Sequence, residues 1–142
     1  MGGSQLFDVV YACRYGNGNI ASKDGSRYKG VGFIHLTWKD NFKKIYEKWS
    51  ENNKGRTLTL DKFAEKMATD VDIAMEAAMI YWEWKKINDQ ITSSNIEDDV
   101  RKTGGIVNTG HVVDEEDTDE INGYDERVSK SKDVYKQLNP TE

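Results

Sequence analysis

The chain reads as a mainly α fold, an α+β arrangement in which a helical bundle carries a small β-hairpin element beside a cleft. Three observations point there. Apolar residues recur at spacings of three, four and seven along several long segments, the period of an amphipathic helix. A short apolar run from Phe33 to Leu36 has strand character instead, and a single proline in 142 residues leaves the helical segments uninterrupted. The same periodicity excludes an all-β fold.

The elements follow in order. A short helix is expected around residues 5 to 13, breaking at the turn cluster Gly16-Asn17-Gly18-Asn19. Residues 20 to 27 read as a loop carrying the Asp24-Gly25 turn pair, and they lead into an extended stretch, a small hairpin, that ends at Leu36. Within it Gly30 and Gly32 flank Val31, a spacing that lets backbone bend sharply or lie close to a ligand. Thr37 then starts a helix as its N-cap, its hydroxyl accepting from the amide three residues on while Asp40 reaches back. Trp38 and Asn41 are left at the helix mouth. This helix should run to about Ser50 with Phe42, Ile45, Tyr46 and Trp49 on one face, and Glu51 to Arg56 make a polar loop.

Leu60, Phe63, Ala64 and Met67 mark a short helix, and Thr69 with Asp72 cap a central one from Asp70 to Lys86. Its inward face is Ile73, Ala74, Ala77, Ala78, Tyr81 and Trp84, which leaves Glu76 and Glu83 in solvent. Ser94 and Glu97 read as another capping box, opening a helix with Ile96, Val100 and Ile106 inward. The last helix starts near Tyr124 and fades before Pro140.

Composition narrows the function classes. Residues 1–142 fit one domain, and 37% hydrophobic with 32% charged residues and a mean hydropathy of −0.79 describe a water-compatible chain. No apolar run approaches the roughly 20 residues of a membrane span. The N-terminal residues lack the basic and long apolar regions of a secretory signal. Cys13 stands alone, so no internal disulfide forms; it reads as an ordinary semi-buried thiol.

The net charge of −5 is concentrated in the run DEEDTDE at 114–120, and the remainder carries about one positive charge. That run reads as a solvated acidic insertion loop. As a calcium loop opening at Asp117 it fails, because Ile121 falls on a ligand position and Asn122 on the required glycine. Lys43, Lys44 and Lys48 are balanced by Asp40 and Glu47, so no nucleic-acid surface is expected. His35 and His111 lie far apart without ligand-like neighbours, so neither a metal nor another cofactor is expected.

The order GxGFI(Q/H)LT at Gly30 to Thr37, with Asn41 four residues after the threonine, resembles the signature of family 19 glycoside hydrolases, which include chitinases and phage endolysins. Residues 11 to 28, YACRYGNGNIASKDGSRY, resemble the segment that precedes it in bacterial and phage members. Residues 63 to 88 resemble the family's aromatic-bearing helix, GGIVNTG at 104 to 110 its I-N-G-G turn, and 124 to 138 its closing Arg-bearing helix. The resemblance implies a lysozyme-like fold, a choice that periodicity alone does not make, and a setting in a bacterial or phage-infected cytoplasm with action at the cell envelope. It also implies that the family's two catalytic glutamates fall upstream of everything matched, so that this chain corresponds to the carboxy-terminal two thirds of such a hydrolase.

The same resemblance assigns roles. His35 falls at the Gln position that binds sugar beside the catalytic centre, and Thr37 at the Ser/Thr position that helps hold the nucleophilic water. Asn41, Asn108 and Arg127 match sugar-binding and charge-positioning residues. Tyr28 and Trp38 are candidate sugar-stacking rings, since aromatic faces with polar edges suit pyranoses. Each also has a plainer reading: Thr37 as a cap, Asn108 as a turn residue, Arg127 paired to Asp125 or Glu126, and the rings as packing. Two departures stand out. Val31 replaces the family's arginine, and His35 replaces an amide with a ring whose charge changes near neutral pH.

Two functions follow as expectations. One is a truncated or degenerate chitinase- or endolysin-like domain that recognises β-1,4-linked N-acetylglucosamine polymers, peptidoglycan or chitin, and hydrolyses them when a separate glutamate-bearing chain supplies the missing carboxylates. The alternative is a non-enzymatic interaction or inhibitor module on the same fold, with the acidic run as its contact.

Overall fold

The apolar spacings are realised as helices in the computed structural model, which describes residues 2–92 and 95–140. The chain is mainly α and divides into two units, Met1–Tyr81 and Trp82–Glu142. Helices α1 (Gly3–Val10), α2 (Asp24–Arg27), α3 (Lys39–Asn52), α4 (Leu60–Met67) and most of α5 (Val71–Trp84) form the first. Helix α1 stops three residues short of the expected boundary, and the expected loop at 20 to 27 holds a 3-10 turn, Ile20–Ser22, followed by α2.

Most of the predicted core of the first unit is realised. Phe42, Ile45 and Trp49 of α3, Phe63, Ala64 and Met67 of α4, and Ile73, Ala74, Ala77 and Tyr81 of α5 are buried, Tyr46 and Ala78 are only partly covered, and Ile80, which the spacing left off the inward face, is buried as well. The Trp49 and Phe63 rings lie 5.2 Å apart, and burying each large side chain contributes about 1.5–3 kcal/mol. A buried indole N–H needs an acceptor, and Trp49 donates to Glu76 Oε2 at 2.5 Å. Arg56 donates to the same carboxylate at 3.1 Å and lies 5.2 Å over the Trp49 ring. Glu76 is therefore a half-buried anchor and not the solvated glutamate that helical phase implied.

No strand occurs among the described residues, and the expected hairpin reduces to one antiparallel bridge, Val31 to Leu36. Residues 32 to 35 close a tight turn across it, with Gly32 at φ 75° and His35 at 52°. The apolar run is thus a turn, with Leu36 buried and Phe33 exposed.

The start of α3 also differs from expectation. Its N-cap is Trp38, held at φ 80° and ψ 134°, and no side chain of its own segment caps it. Thr37 sits one residue too early, and its Oγ1 donates to the His35 carbonyl at 2.8 Å. The first helical amides are satisfied from the preceding loop: Lys39 N donates to Asn17 Oδ1 and Asp40 N to the Tyr15 carbonyl, both at 3.2 Å. Asn17 is buried, and its amide donates in turn to the Tyr11 carbonyl at 3.0 Å.

Beneath this loop Asp24, 3% exposed, accepts from Gly18 N and Lys39 Nζ at 2.9 Å and from Arg27 at 3.1 Å. Burial alone pushes its carboxyl up. The hydrogen bonds from Lys39 and Gly18, with the charges of Lys39 and Arg27, outweigh that and hold it below its ordinary value. Gly25 lets α1 cross closely, since a Cβ there would land on the Phe7 carbonyl. Helix α4 is capped by Thr59, whose side chain accepts from Lys62 N. At α5 the Asp70 carboxylate accepts from Ile73 N at 3.3 Å, so Asp70 and not Thr69 makes that cap.

The second unit opens at Trp82 and contains α6 (Ile96–Thr109) and α7 (Tyr124–Leu138). Asn95 caps α6 by accepting from Glu97 N and Asp98 N; the expected capping residue Ser94 lies outside the described residues. The segment GGIVNTG is mostly helical instead of a turn. A Cβ on Gly104 would meet Ile121 at 3.0 Å and one on Gly105 would meet Val113 N at 2.9 Å, so these glycines admit close packing. The left-handed turn residue is Gly110, φ 91°, whose carbonyl accepts from Lys85 Nζ at 3.0 Å. The acidic run forms a 3-10 segment, Glu115–Glu120, with its carboxylates exposed, and ends on buried Ile121.

Two outcomes test this framework. Asn17→Ala strips partners from a part-buried amide and carbonyl, and should lower stability by about 1–3 kcal/mol in urea unfolding, with an unchanged slope. Because the folded Asp24 carboxyl lies below its unfolded value of 3.8, its contribution is complete above that pH and is lost as pH falls through the folded value. Asp24→Asn should flatten the fall of stability with acid below the unfolded value of 3.8. An unchanged acid limb in the variant would refute the network.

Candidate functional site

The sequence-assigned residues divide between the units. Tyr28, His35, Thr37, Trp38 and Asn41 belong to the first, Asn108 and Arg127 to the second.

In the first unit the glycines of Gly30-Val31-Gly32 have separate tasks. A Cβ on Gly30 would land on the His35 imidazole, so the missing side chain is what lets that exposed ring lie against the backbone. Gly32 supplies the positive φ of the turn. The hydroxyl of Thr37 donates to the His35 carbonyl, and the Thr37 carbonyl accepts from Asn41 Nδ2 at 2.9 Å. His35, Thr37 and Asn41 are thereby tied into one polar strip through backbone groups. With its proton committed to the carbonyl, the Thr37 oxygen faces a ligand or water as an acceptor.

Trp38 lies beside this strip, with its ring 4.6 Å from Tyr11 and 4.7 Å from Tyr15. Phe7 extends the row, 5.6 Å from Tyr11. Tyr15 is 68% exposed, whereas Trp38 is only partly so. Tyr11 and Tyr15 had no assigned role in the sequence; the four-residue step from Phe7 to Tyr11 was the visible signal, and the approach of Tyr15 to Trp38 was not visible. Cys13 is exposed rather than semi-buried, in the left-handed region at φ 56°.

Tyr28 departs from its expected role. It is 1% exposed, its ring packs 5.3 Å from Phe42, and its hydroxyl donates to Asp61. Burial, reinforced by the Asp61 hydrogen bond and charge, pushes its phenol well above the ordinary value. It is a core residue with no face for a sugar. Val31 and Phe33 of the turn, with Met67, Thr69, Asp70 and Ala74, line a mostly apolar hollow of about 460 Å³.

In the second unit Asn108 is helical and half-buried, its Nδ2 donating to the Gly104 carbonyl at 3.2 Å, so a turn role is ruled out. Arg127 is exposed and donates from Nε to the Asn122 carbonyl at 2.9 Å, in place of pairing with Asp125 or Glu126. It lines a hollow of about 310 Å³ with Trp82, Thr103 and Lys130. Among the described residues no group of three or more His, Cys, Asp or Glu side chains is placed to hold a metal ion, and no helix is long and apolar enough to cross a membrane.

Amide, hydroxyl and imidazole groups beside partly open aromatic rings suit a neutral ligand rich in hydroxyl and amide groups. Such a ligand presents C–H faces to rings and polar edges to the strip.

Comparison with known proteins gives one matching direction. A protein of Haemophilus influenzae (strain ATCC 51907 / DSM 11121 / KW20 / Rd) named "Glycosyl hydrolase family 19 domain-containing protein" is 32% identical to this chain over 99 residues. The alignment covers 70% of this chain and 44% of that protein, so the chain spans less than half the length of the relative it matches. No family model matches the chain, and no solved structure does. The sequence is similar to a glycosyl hydrolase family 19 domain protein over most of its own length.

Proposed function

We propose that this chain grips β-1,4-linked N-acetylglucosamine polymers, chitin or peptidoglycan glycan, as part of a family 19-type glycoside hydrolase, with cleavage dependent on a separate glutamate-bearing segment. The polar strip beside the aromatic rings carries this reading, supported by the similarity to a protein of that name. Inverting hydrolysis needs an acid to protonate the leaving oxygen and a base to activate water, with carboxylates roughly 6.5–9.5 Å apart. His35, Thr37 and Asn41 do not supply that pair of carboxylates. What they supply is the complementary wall. Thr37 accepts a hydrogen bond from the attacking water, and His35 and Asn41 meet hydroxyl and acetamido groups of the sugar. In this reading Asn108 and Arg127 keep the sugar-binding and charge-positioning roles that resemblance gives them.

Titration of the ¹⁵N-labelled protein with N-acetylchitohexaose should move the amides of His35, Thr37 and Asn41 and the Trp38 indole. Gly30→Ala, which displaces the His35 ring, should weaken binding about tenfold while the thermal midpoint stays close to that of the unaltered chain, because a flexible side chain absorbs the added methyl. If none of those resonances moves at millimolar sugar, the reading is wrong.

A further inference from the structure

We propose that Tyr15 is a sugar-stacking ring, the outermost of an aromatic row in which Tyr11 and Trp38 back it. This rests on the reading that the chain grips an aminosugar polymer, and it adds a residue that neither the resemblance nor the comparisons assign.

Exposure comes first. Tyr15 is 68% exposed, whereas Trp38 has Tyr11 and Tyr15 at 4.6 and 4.7 Å and is only partly open. Tyr15 is the most exposed ring in the row, so it is the one that offers an open face to a pyranose. Placement comes second. An exposed tyrosine is ordinarily mobile, yet this one has its main chain fixed: its carbonyl accepts from Asp40 N at 3.2 Å, and the adjoining loop is closed by Cys13 N to Gly18 O at 2.9 Å and Asn17 N to Arg14 O at 2.8 Å. A ring on a fixed stem loses less freedom on binding.

Strain is the third observation. Cys13 at φ 56°, Tyr15 at 43° and Trp38 at 80° all adopt backbone conformations that L side chains rarely take. None is glycine, though glycine would relieve the strain. Such outliers persist where surrounding bonds over-determine them, and they gather at ligand-holding sites. The two strained aromatics are the two whose rings meet at 4.7 Å. The conformation orients rings at the cost of backbone comfort.

Chemistry selects the ligand. Net charge does not choose the ligand, because the −5 is concentrated in the 114–120 run and the rest of the chain carries about one positive charge, and bases also stack on rings. Amide and hydroxyl groups at Asn41 and Thr37 beside the rings match an uncharged pyranose with acetamido and hydroxyl edges.

The test is calorimetric titration of N-acetylchitohexaose into the unaltered chain, Tyr15→Ala and Tyr15→Phe. Tyr15→Ala should weaken binding roughly three- to tenfold, the scale of one aromatic stack, and Tyr15→Phe should bind like the unaltered chain because the ring suffices. Hexamer binding undiminished in Tyr15→Ala overturns the role of Tyr15 and leaves the wider reading intact. Equal losses in both variants overturn stacking in favour of a hydroxyl contact. No binding by the unaltered chain overturns both. A measurement without substitution covers the case in which Tyr15→Ala does not fold: nuclear Overhauser contacts between sugar ring protons and the Tyr15 ring are expected, and their absence in a complex that does bind refutes the proposal.

Discussion

The side chain of Asn17 governs the arrangement of the first unit. Buried between the loop that follows α1 and the start of α3, it donates to the Tyr11 carbonyl and accepts from Lys39 N, and so caps a helix from 22 residues away. A helix end must satisfy its leading amides somehow, and a local Ser or Thr is the usual solution. Here the cap comes from another part of the chain. That choice fixes where α3 begins, places Trp38 in the cap position, and draws the 11–18 loop over the helix mouth. Asp24 braces the same junction from below by accepting from Gly18 N and Lys39 Nζ.

The left-handed backbone at Trp38 follows from that geometry. Such a conformation costs on the order of 1–3 kcal/mol for a residue with a side chain, and a typical intramolecular hydrogen bond returns about 1 kcal/mol. Lys39 N, Asp40 N and Trp38 N all find partners across the junction, so the strain is met by several bonds that a relaxed Trp38 would break. The same junction sets Tyr15 beside Trp38. The strained residues and the open rings are therefore one structural fact: the loop and helix are locked together, and the aromatic side chains are what the lock presents to solvent.

Much of the fold was legible in residue spacing. Phe42, Ile45 and Trp49, then Phe63, Ala64 and Met67, then Ile73, Ala74 and Ala77 are buried as their periodicity requires, because burying an apolar stripe is what a helix of this length does for stability. The site was half legible. His35, Thr37, Trp38 and Asn41 cluster because they are near neighbours in sequence, but Tyr28 reads identically as a ring near a glycine signature and is core. Spacing gives a residue's phase and says nothing of which neighbour will cover its face.

Composition and pattern by themselves determined a mainly helical chain, its core stripes, its localised acidity, and a run of polar and aromatic residues around Gly30 to Asn41. Tertiary structure decided that Thr37 is no cap, that the 31–36 segment is a bridged turn, that Gly104 and Gly105 admit packing within a helix, that Glu76 is an anchor, and that Tyr15 meets Trp38. For four of these the reason is common: each depends on a hydrogen-bond or packing partner at least eight residues distant, of which a local pattern carries no record, whereas the 31–36 turn closes between near neighbours and turns on the positive φ of Gly32 and His35.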